Sequence, residues 1–385
     1  MSKVPAGWSV GKVSDFLVLQ RGFDLTKKQA IEGSIPVYSS SGITYYHNEA
    51  KVKGPGVITG RKGSVGPVYL VNEDFWPHDT TLWVKDFRGN LPEYIKIFLI
   101  SMELNKYDEA SSVPTLNRNN VHCVQCVFPP LPEQTKIAQI LSTWDKAIAT
   151  TEQLIGNSQQ QKKALMQSLL TGKKRLPGFE GKFKYLNFSD VVGIDQQNLK
   201  NKTADDFSFK YISLTDVKFG VIEKSSEYIS FKNAPSRARR ILKEGDILLA
   251  TVRPNLQGFA RVKKEHSEMI ASTGFSVLSP KKTFCSDYIF HYLYSDNLTA
   301  QIDSLVVGSN YPAINSSDVA NLKIFCPEYN EQVEIAKVLT NCLDTIENMQ
   351  KKLAFLKQEK AELVQQLLTG KRRVKINLTE ECMDV

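Results

Sequence analysis

The sequence predicts an α+β fold. Two mixed α/β domains are each followed by a long helix, and the helices pair as an antiparallel coiled coil with pseudo-twofold symmetry. Three observations carry this reading. First, a segment of the 385-residue chain occurs twice without a gap. Glu133-Gln134 through Leu169-Leu170-Thr171-Gly172-Lys173-x-Arg175 recurs as Glu331-Gln332 through Leu367-Leu368-Thr369-Gly370-Lys371-x-Arg373, at an offset of 198 (331 − 133 and 373 − 175). Second, both copies place apolar residues at alternating steps of four and three, the sustained period of a coiled-coil seam. Third, a stretch of short β-like runs broken by glycine and proline precedes each copy. A repeat this long is settled first because it dictates the architecture.

The first domain spans residues 1–130. Its most legible element runs from Gly54 through Gly60-Arg61-Lys62-Gly63-Ser64 to Leu70 and reads as strand, turn, strand. Arg61, Lys62 and Ser64 stand at the tip, where glycines let backbone N–H groups and cations approach phosphates or base edges. A plain surface hairpin accounts for the same residues. A Walker loop is excluded, since neither Gly-Lys-Ser/Thr nor a helix follows at the required spacing. Ahead of the helix, Ser111 to Asn120 forms a polar loop in which Arg118 and Asn119 are contact candidates. Pro114 and Asn117 recur as Pro312 and Asn315, which fits a turning and capping role.

The first helix occupies residues 131–172. Pro132 loses no bond at a helix start, and Glu133 suits the positive end. Its seam runs through Ile137, Leu141, Trp144, Ile148, Ile155, Leu165 and Leu169. The second helix, residues 326–371, repeats it with Ile335, Leu339, Ile346, Leu353, Leu356, Leu363 and Leu367. Lys162 and Lys360 interrupt both seams at one matched position, a polar intrusion able to fix register at a cost in stability. Gly172 and Gly370 stop the helices, and Lys173, Arg175, Lys371 and Arg373 complement their negative ends. Pairing within the chain is the simplest use of two seams; packing of each helix on its own domain, or pairing between chains, is the alternative.

A linker and second domain fill residues 173–325. Trp8 to Asp15 resembles Phe183 to Asp190, and Tyr94-Ile95 resembles Tyr288-Ile289. The domains are therefore expected to be alike at their edges and different inside. Gly245 to Arg261 keeps the strand–turn–strand outline and changes the tip to Arg253, Asn255 and Gln257. Arginine reads guanine and asparagine or glutamine reads adenine, so a changed tip suits a second, different target. In the polar loop before the second helix, Asn310 and Tyr311 are the candidates. A tail, residues 372–385, lies largely beyond the repeat.

A formal net charge of +8 allows nucleic-acid binding without requiring it. The N-terminus lacks the apolar stretch of a signal peptide, and no apolar run has membrane-spanning length, so the expectation is a cytoplasmic protein with no membrane partner. Six cysteines without framework spacing argue against a disulfide scaffold. Cys123-x-x-Cys126 has no second pair to complete a tetrahedral metal site, and the repeat replaces these residues with Asn321 and Ile324. No metal is expected. No His-Glu-x-x-His and no Gly-x-Ser-x-Gly is present. Phe128-Pro129-Pro130-Leu131 lacks the polar first residue and the final aromatic of an amino-methyltransferase motif. No catalytic residues are assigned.

The combination of Pro-Leu-Pro-Glu-Gln (130–134), Leu-Leu-Thr-Gly-Lys-Lys-Arg (169–175), Leu176-Pro177-Gly178-Phe179 and a second round of the same frame resembles the specificity subunit of type I restriction–modification enzymes. The likeness runs from Pro5 to Arg373. It implies two target recognition domains, each reading one half of a bipartite, asymmetric double-stranded DNA sequence. It implies helices that act as spacer and as docking surface for two modification (methyltransferase) subunits. S-adenosylmethionine would be carried by those subunits; ATP and magnesium would serve two restriction subunits. This chain would bind no cofactor and do no chemistry alone. The competing readings are a coiled-coil adaptor that binds protein rather than DNA and a divergent DNA methyltransferase.

Overall fold

The computed structural model describes residues 4–108, 112–218, 220–223, 227–306 and 312–376. The chain divides into two compact units, Met1–Glu152 with Lys351–Val385, and Gln153–Gln350. Each unit therefore holds one α/β domain, the start of one long helix and the end of the other, since the helices run Leu131–Leu169 and Tyr329–Leu368.

The first unit is built on a four-stranded antiparallel sheet in the order Val18–Arg21, Thr81–Asp86, Gly56–Gly60, Val68–Val71. The central strand Gly56–Gly60 is buried along its whole length, which explains its apolar character. Gly60 is required where it stands: a Cβ there would fall 1.8 Å from the Ser64 carbonyl oxygen. Helix Pro92–Ser101 starts on a proline and buries Tyr94, Ile95, Phe98 and Leu99, a helical stripe against the core. A second sheet orders Gly42–His47, Ile35–Ser39 and Trp76–Pro77, the last two parallel. Strand Ser9–Lys12 pairs with Gln125–Phe128 and closes the domain.

The second unit repeats this plan. Its main sheet runs Val192–Ile194, Phe275–Pro280, Ile247–Ala250, Phe259–Arg261, the same order with matched strands. Helix Ser286–Leu293 occupies the place of Pro92–Ser101, and Lys184–Asn187 pairs with Lys323–Cys326. In the second sheet, Ser208–Ile212 again lies parallel to Ile270–Ser272, with Tyr228–Ser230 and Ala238–Ile241 outside them. The domains, whose sequences match only at their edges, therefore share one scaffold, and the common topology extends through the interior where the sequences differ. Buried strands constrain burial and β-propensity rather than identity, so a common sheet survives where sequence likeness does not. Ala238–Ile241 and the small hairpin Val217–Lys218/Val221–Ile222 are additions of the second unit.

Within each unit the long helices run antiparallel. In the first, Lys360 Nζ meets Asp145 at 2.5 Å and Lys357 Nζ meets Glu152 at 2.7 Å, so numbers rise on one helix as they fall on the other. In the second, Leu165, Met166 and Leu169 share a core with Ile335, Leu339 and Leu343. Every predicted seam residue is buried or part-buried, while Leu154 and Phe355, off the seam, are half exposed. The helices also pack on the domains. Ile137, Leu141 and Leu367 join the first domain's core beside Tyr94 and Phe128. The two seam lysines differ. Lys360 has Asp145, whereas the repeat puts Leu343 in the place of Asp145 for Lys162, which lines a cleft with Leu343 and Glu347 and whose pKa burial lowers.

A buried glutamate closes each unit. Glu133, 2% exposed, receives the Arg373 guanidinium through Nε at 2.9 Å and through Nη2, and Trp8 Nε1 at 3.3 Å. The guanidinium also donates to the Ala6 carbonyl and lies over the Trp8 ring. In the second unit Arg175 grips Glu331 at 2.7 and 2.6 Å, donates to the Gly181 carbonyl and lies over Phe183. The next residue is equally constrained. Gln134 accepts from Leu91 N and donates to Pro129 O, as Gln332 does with Cys285 N and Pro327 O. The repeated Glu-Gln and Lys-x-Arg are therefore a two-point clamp, which a planar fork makes and a lysine does not. Arg373→Ala is expected to cost the first unit about 1–3 kcal/mol by stranding a buried carboxylate, and Arg373→Lys less. Urea denaturation followed by tryptophan fluorescence checks this, because Trp8, Trp76, Trp83 and Trp144 all lie in the first unit.

Cys126 sits in the closing strand with its thiol pushed up to about 12 by burial, and Cys123 ends the short helix Arg118–His122. Among the described residues no group of three or more potential ligands is placed to hold a metal ion. Val374 packs on the first unit's core; residues 377–385 of the predicted tail lie outside the described residues. No described helix is long and apolar enough to cross a membrane.

Candidate nucleic-acid interface

In both units the hairpin tip and the loop before the long helix, far apart in sequence, are hydrogen-bonded neighbours. Leu116 N donates to Arg61 O at 2.7 Å and Gly63 N to Pro114 O at 2.9 Å, with Lys62 bridged to Thr115. In the second unit Ile314 N donates to Thr251 O at 2.9 Å and Arg253 N to Pro312 O at 2.7 Å, with Val252 bridged to Ala313. Since Pro114 and Pro312 are repeat partners, Arg61 corresponds to Thr251, and Arg253 corresponds to Gly63. Pairing Arg61 with Arg253 across the repeat is therefore two residues out of register.

The shift has a backbone cause. Gly63 has φ +88° and Arg253 has φ +51°, both left-handed. A glycine takes that conformation without strain, whereas an arginine pays for it. Arg253 and Gln257, also at +51°, bracket the 3₁₀ turn Pro254–Leu256, which replaces the looser Gly63–Gly66 loop of the first unit. Arg253 and Asn255 are exposed and Gln257 is part-buried. Arg253 shares a cleft of about 1010 Å³ with Arg237, Lys218 and Thr273, while Gln257 borders a different one with Lys162 and Glu347. The tip residues of this unit thus do not all converge.

In the first unit Lys62 and Ser64 are exposed, and Arg61 is part-buried with Nε donating to Asp79 O at 2.9 Å. Arg118 is exposed at the start of its short helix, and its Nη1 reaches Leu19 O only at 3.5 Å. Asn117 caps that helix by accepting from Asn119 N at 3.0 Å, leaving the Asn119 side chain exposed; Asn315 caps the matching helix through Asp318 N. Arg61 and Arg118 line a cleft of about 570 Å³ together with Thr115, Asn117 and Arg21. Arg21 was not singled out by sequence reading, and Arg237 was noted only within the basic cluster Arg237-Ala238-Arg239-Arg240. Their only signal was charge, and their neighbours are distant in the chain. Asn310 and Tyr311 lie outside the described residues.

Two copies of one α/β domain, clamped onto long antiparallel helices and presenting unlike polar tips at one matched junction, define a tandem-domain scaffold. A family model described as the type I restriction modification DNA specificity domain matches residues 5–157 and again 180–358. The chain belongs to that family and is a type I restriction–modification specificity subunit. It is 24% identical to the MjaVIII specificity subunit of Methanocaldococcus jannaschii, over 97% of this chain and 95% of that one. It is 20% identical to the EcoKI specificity subunit of Escherichia coli K12, over 90% and 84%. The fold matches the crystal structure of a type I restriction–modification S subunit from M. genitalium at a TM-score of 0.65, with 13% identity over 96% and 97% of the two chains.

Proposed function

We propose that this chain is the non-catalytic DNA-reading subunit of a cytoplasmic type I complex, each domain recognising one half of a bipartite, asymmetric duplex target. The observation that carries this reading is the junction of hairpin tip and pre-helix loop. The backbone bonds are the same in both copies, but the side chains presented differ: Arg61, Lys62, Ser64 and Arg118 against Arg253 and Asn255. A conserved frame with changed tips is what two unlike half-sites require. The helices set the gap between half-sites and dock two modification subunits, which supply S-adenosylmethionine and the adenine-methylating site. Two restriction subunits use ATP and magnesium.

The test is binding by the chain assembled with its modification subunit. Affinity for duplex DNA falls as salt rises, with a log–log slope of roughly −0.9 per phosphate neutralised. Arg61→Glu and Arg253→Glu abolish selective binding and leave assembly intact. Binding that stays indifferent to sequence in the complete assembly contradicts the proposal.

A further inference from the structure

We infer that Arg21 is a base-reading residue of the first domain, directed at the acceptor edge of a guanine, and that Asp79 positions it. This rests on the DNA-recognition reading and names the chemistry of that site. Arg21 ends strand Val18–Arg21 and shares the cleft with Arg61 and Arg118, yet its surroundings differ from theirs. Its Nη2 is held by Asp24 at 2.9 Å and Asp79 at 3.2 Å, while the side chain remains 51% exposed. Both contacts use Nη2, so Nε and Nη1 have no partner among the described residues.

Asp79 ties the cleft together. Its carboxylate takes Arg21 and contacts His78 Nδ1 at 2.9 Å, and its carbonyl takes Arg61 Nε. Two carboxylates against one guanidinium make the immediate site unattractive to a phosphate. They do not oppose a neutral base edge, whose O6 and N7 accept from a held arginine, and a carboxylate accepts in turn from the cytosine N4 amino group. Arg61 and Arg118, with no carboxylate within ion-pair distance among the described residues, suit the backbone instead. The scaffold itself does not need an arginine at this place. At the offset that matches Trp8 with Phe183, the second unit has Gln196 where the first has Arg21.

The experiment is methylome sequencing of cells that express the modification subunit with wild-type, Arg21→Gln, Arg21→Lys or Asp79→Asn chains. The wild type gives a bipartite motif. Arg21→Gln relaxes one guanine-containing position of one half-site, cutting discrimination there by between about fivefold and a hundredfold. The other half stays unchanged. Arg21→Lys, which keeps the charge and the fold but loses the planar fork, relaxes the same position, and Asp79→Asn does so more weakly. An unaltered motif in Arg21→Lys overturns the inference, as does a uniform loss of methylation in Arg21→Gln without change of motif. Absence of any bipartite motif in the wild type overturns the DNA-recognition reading itself and is distinguishable from both.

Discussion

Phe128→Ala is expected to destabilise the first unit by about 3–5 kcal/mol, the range for removing a buried aromatic ring. Phe128 is 2% exposed and ends the strand that closes the domain. Its ring stacks on Phe16 at 4.3 Å and meets Phe98 at 4.7 Å and Tyr94 at 5.5 Å, so truncation leaves a cavity walled by three rings that cannot all collapse into it. The residue also stands just before Pro129-Pro130 and the first long helix, so the loss loosens the joint between domain and helix. Urea denaturation followed by tryptophan fluorescence reads this unit alone. A loss below about 1 kcal/mol would mean the core repacks and that this joint is not its keystone.

Acid is expected to unfold the second unit first, through His291. This side chain is 1% exposed in helix Ser286–Leu293, with Nε2 2.8 Å from Thr340 Oγ1. Burial, reinforced by Lys162 and Arg261, lowers its pKa from 6.5 to about 3. The folded state therefore binds fewer protons than the unfolded state between these values. Stability is complete above pH 6.5 and falls as the pH drops toward 3, by about 2 kcal/mol at pH 5. The repeat partner of His291 is Ile97, so His291→Ile is a substitution the scaffold already accommodates in its other copy. It is expected to flatten the acid limb between pH 6.5 and 4. Hydrogen exchange of residues 286–305 as a function of pH checks this, and an unchanged pH dependence in the variant would assign the limb to other groups.

The long helices were legible because a heptad period is written locally, residue by residue, and the closing glycines mark where it stops. The hairpins Gly56–Val71 and Ile247–Arg261 were legible for the same reason, since apolar runs flank a glycine or proline turn. What stayed hidden depends on separation in the chain. Arg373 reads as a cation at a helix end, but its partner Glu133 lies 240 residues away. Arg21 is an unremarkable strand-end charge until the fold brings Asp79, 58 residues on, against it. Arg61 and Arg253, two arginines after similar strands, look equivalent in the sequence. Only the bonds to Pro114 and Pro312 reveal that Arg253 takes the place of a glycine. The common interior topology was masked because β-strands tolerate exchange among apolar residues more freely than clamps and caps tolerate exchange of their polar groups.

The most direct measurement is single-molecule methylome sequencing of cells carrying this chain with its modification subunit, against cells lacking it. The account predicts a new N6-methyladenine motif made of two unlike halves separated by a fixed gap. No new motif in cells where the assembled complex is present and the modification subunit is active would contradict the claim that these two domains read DNA.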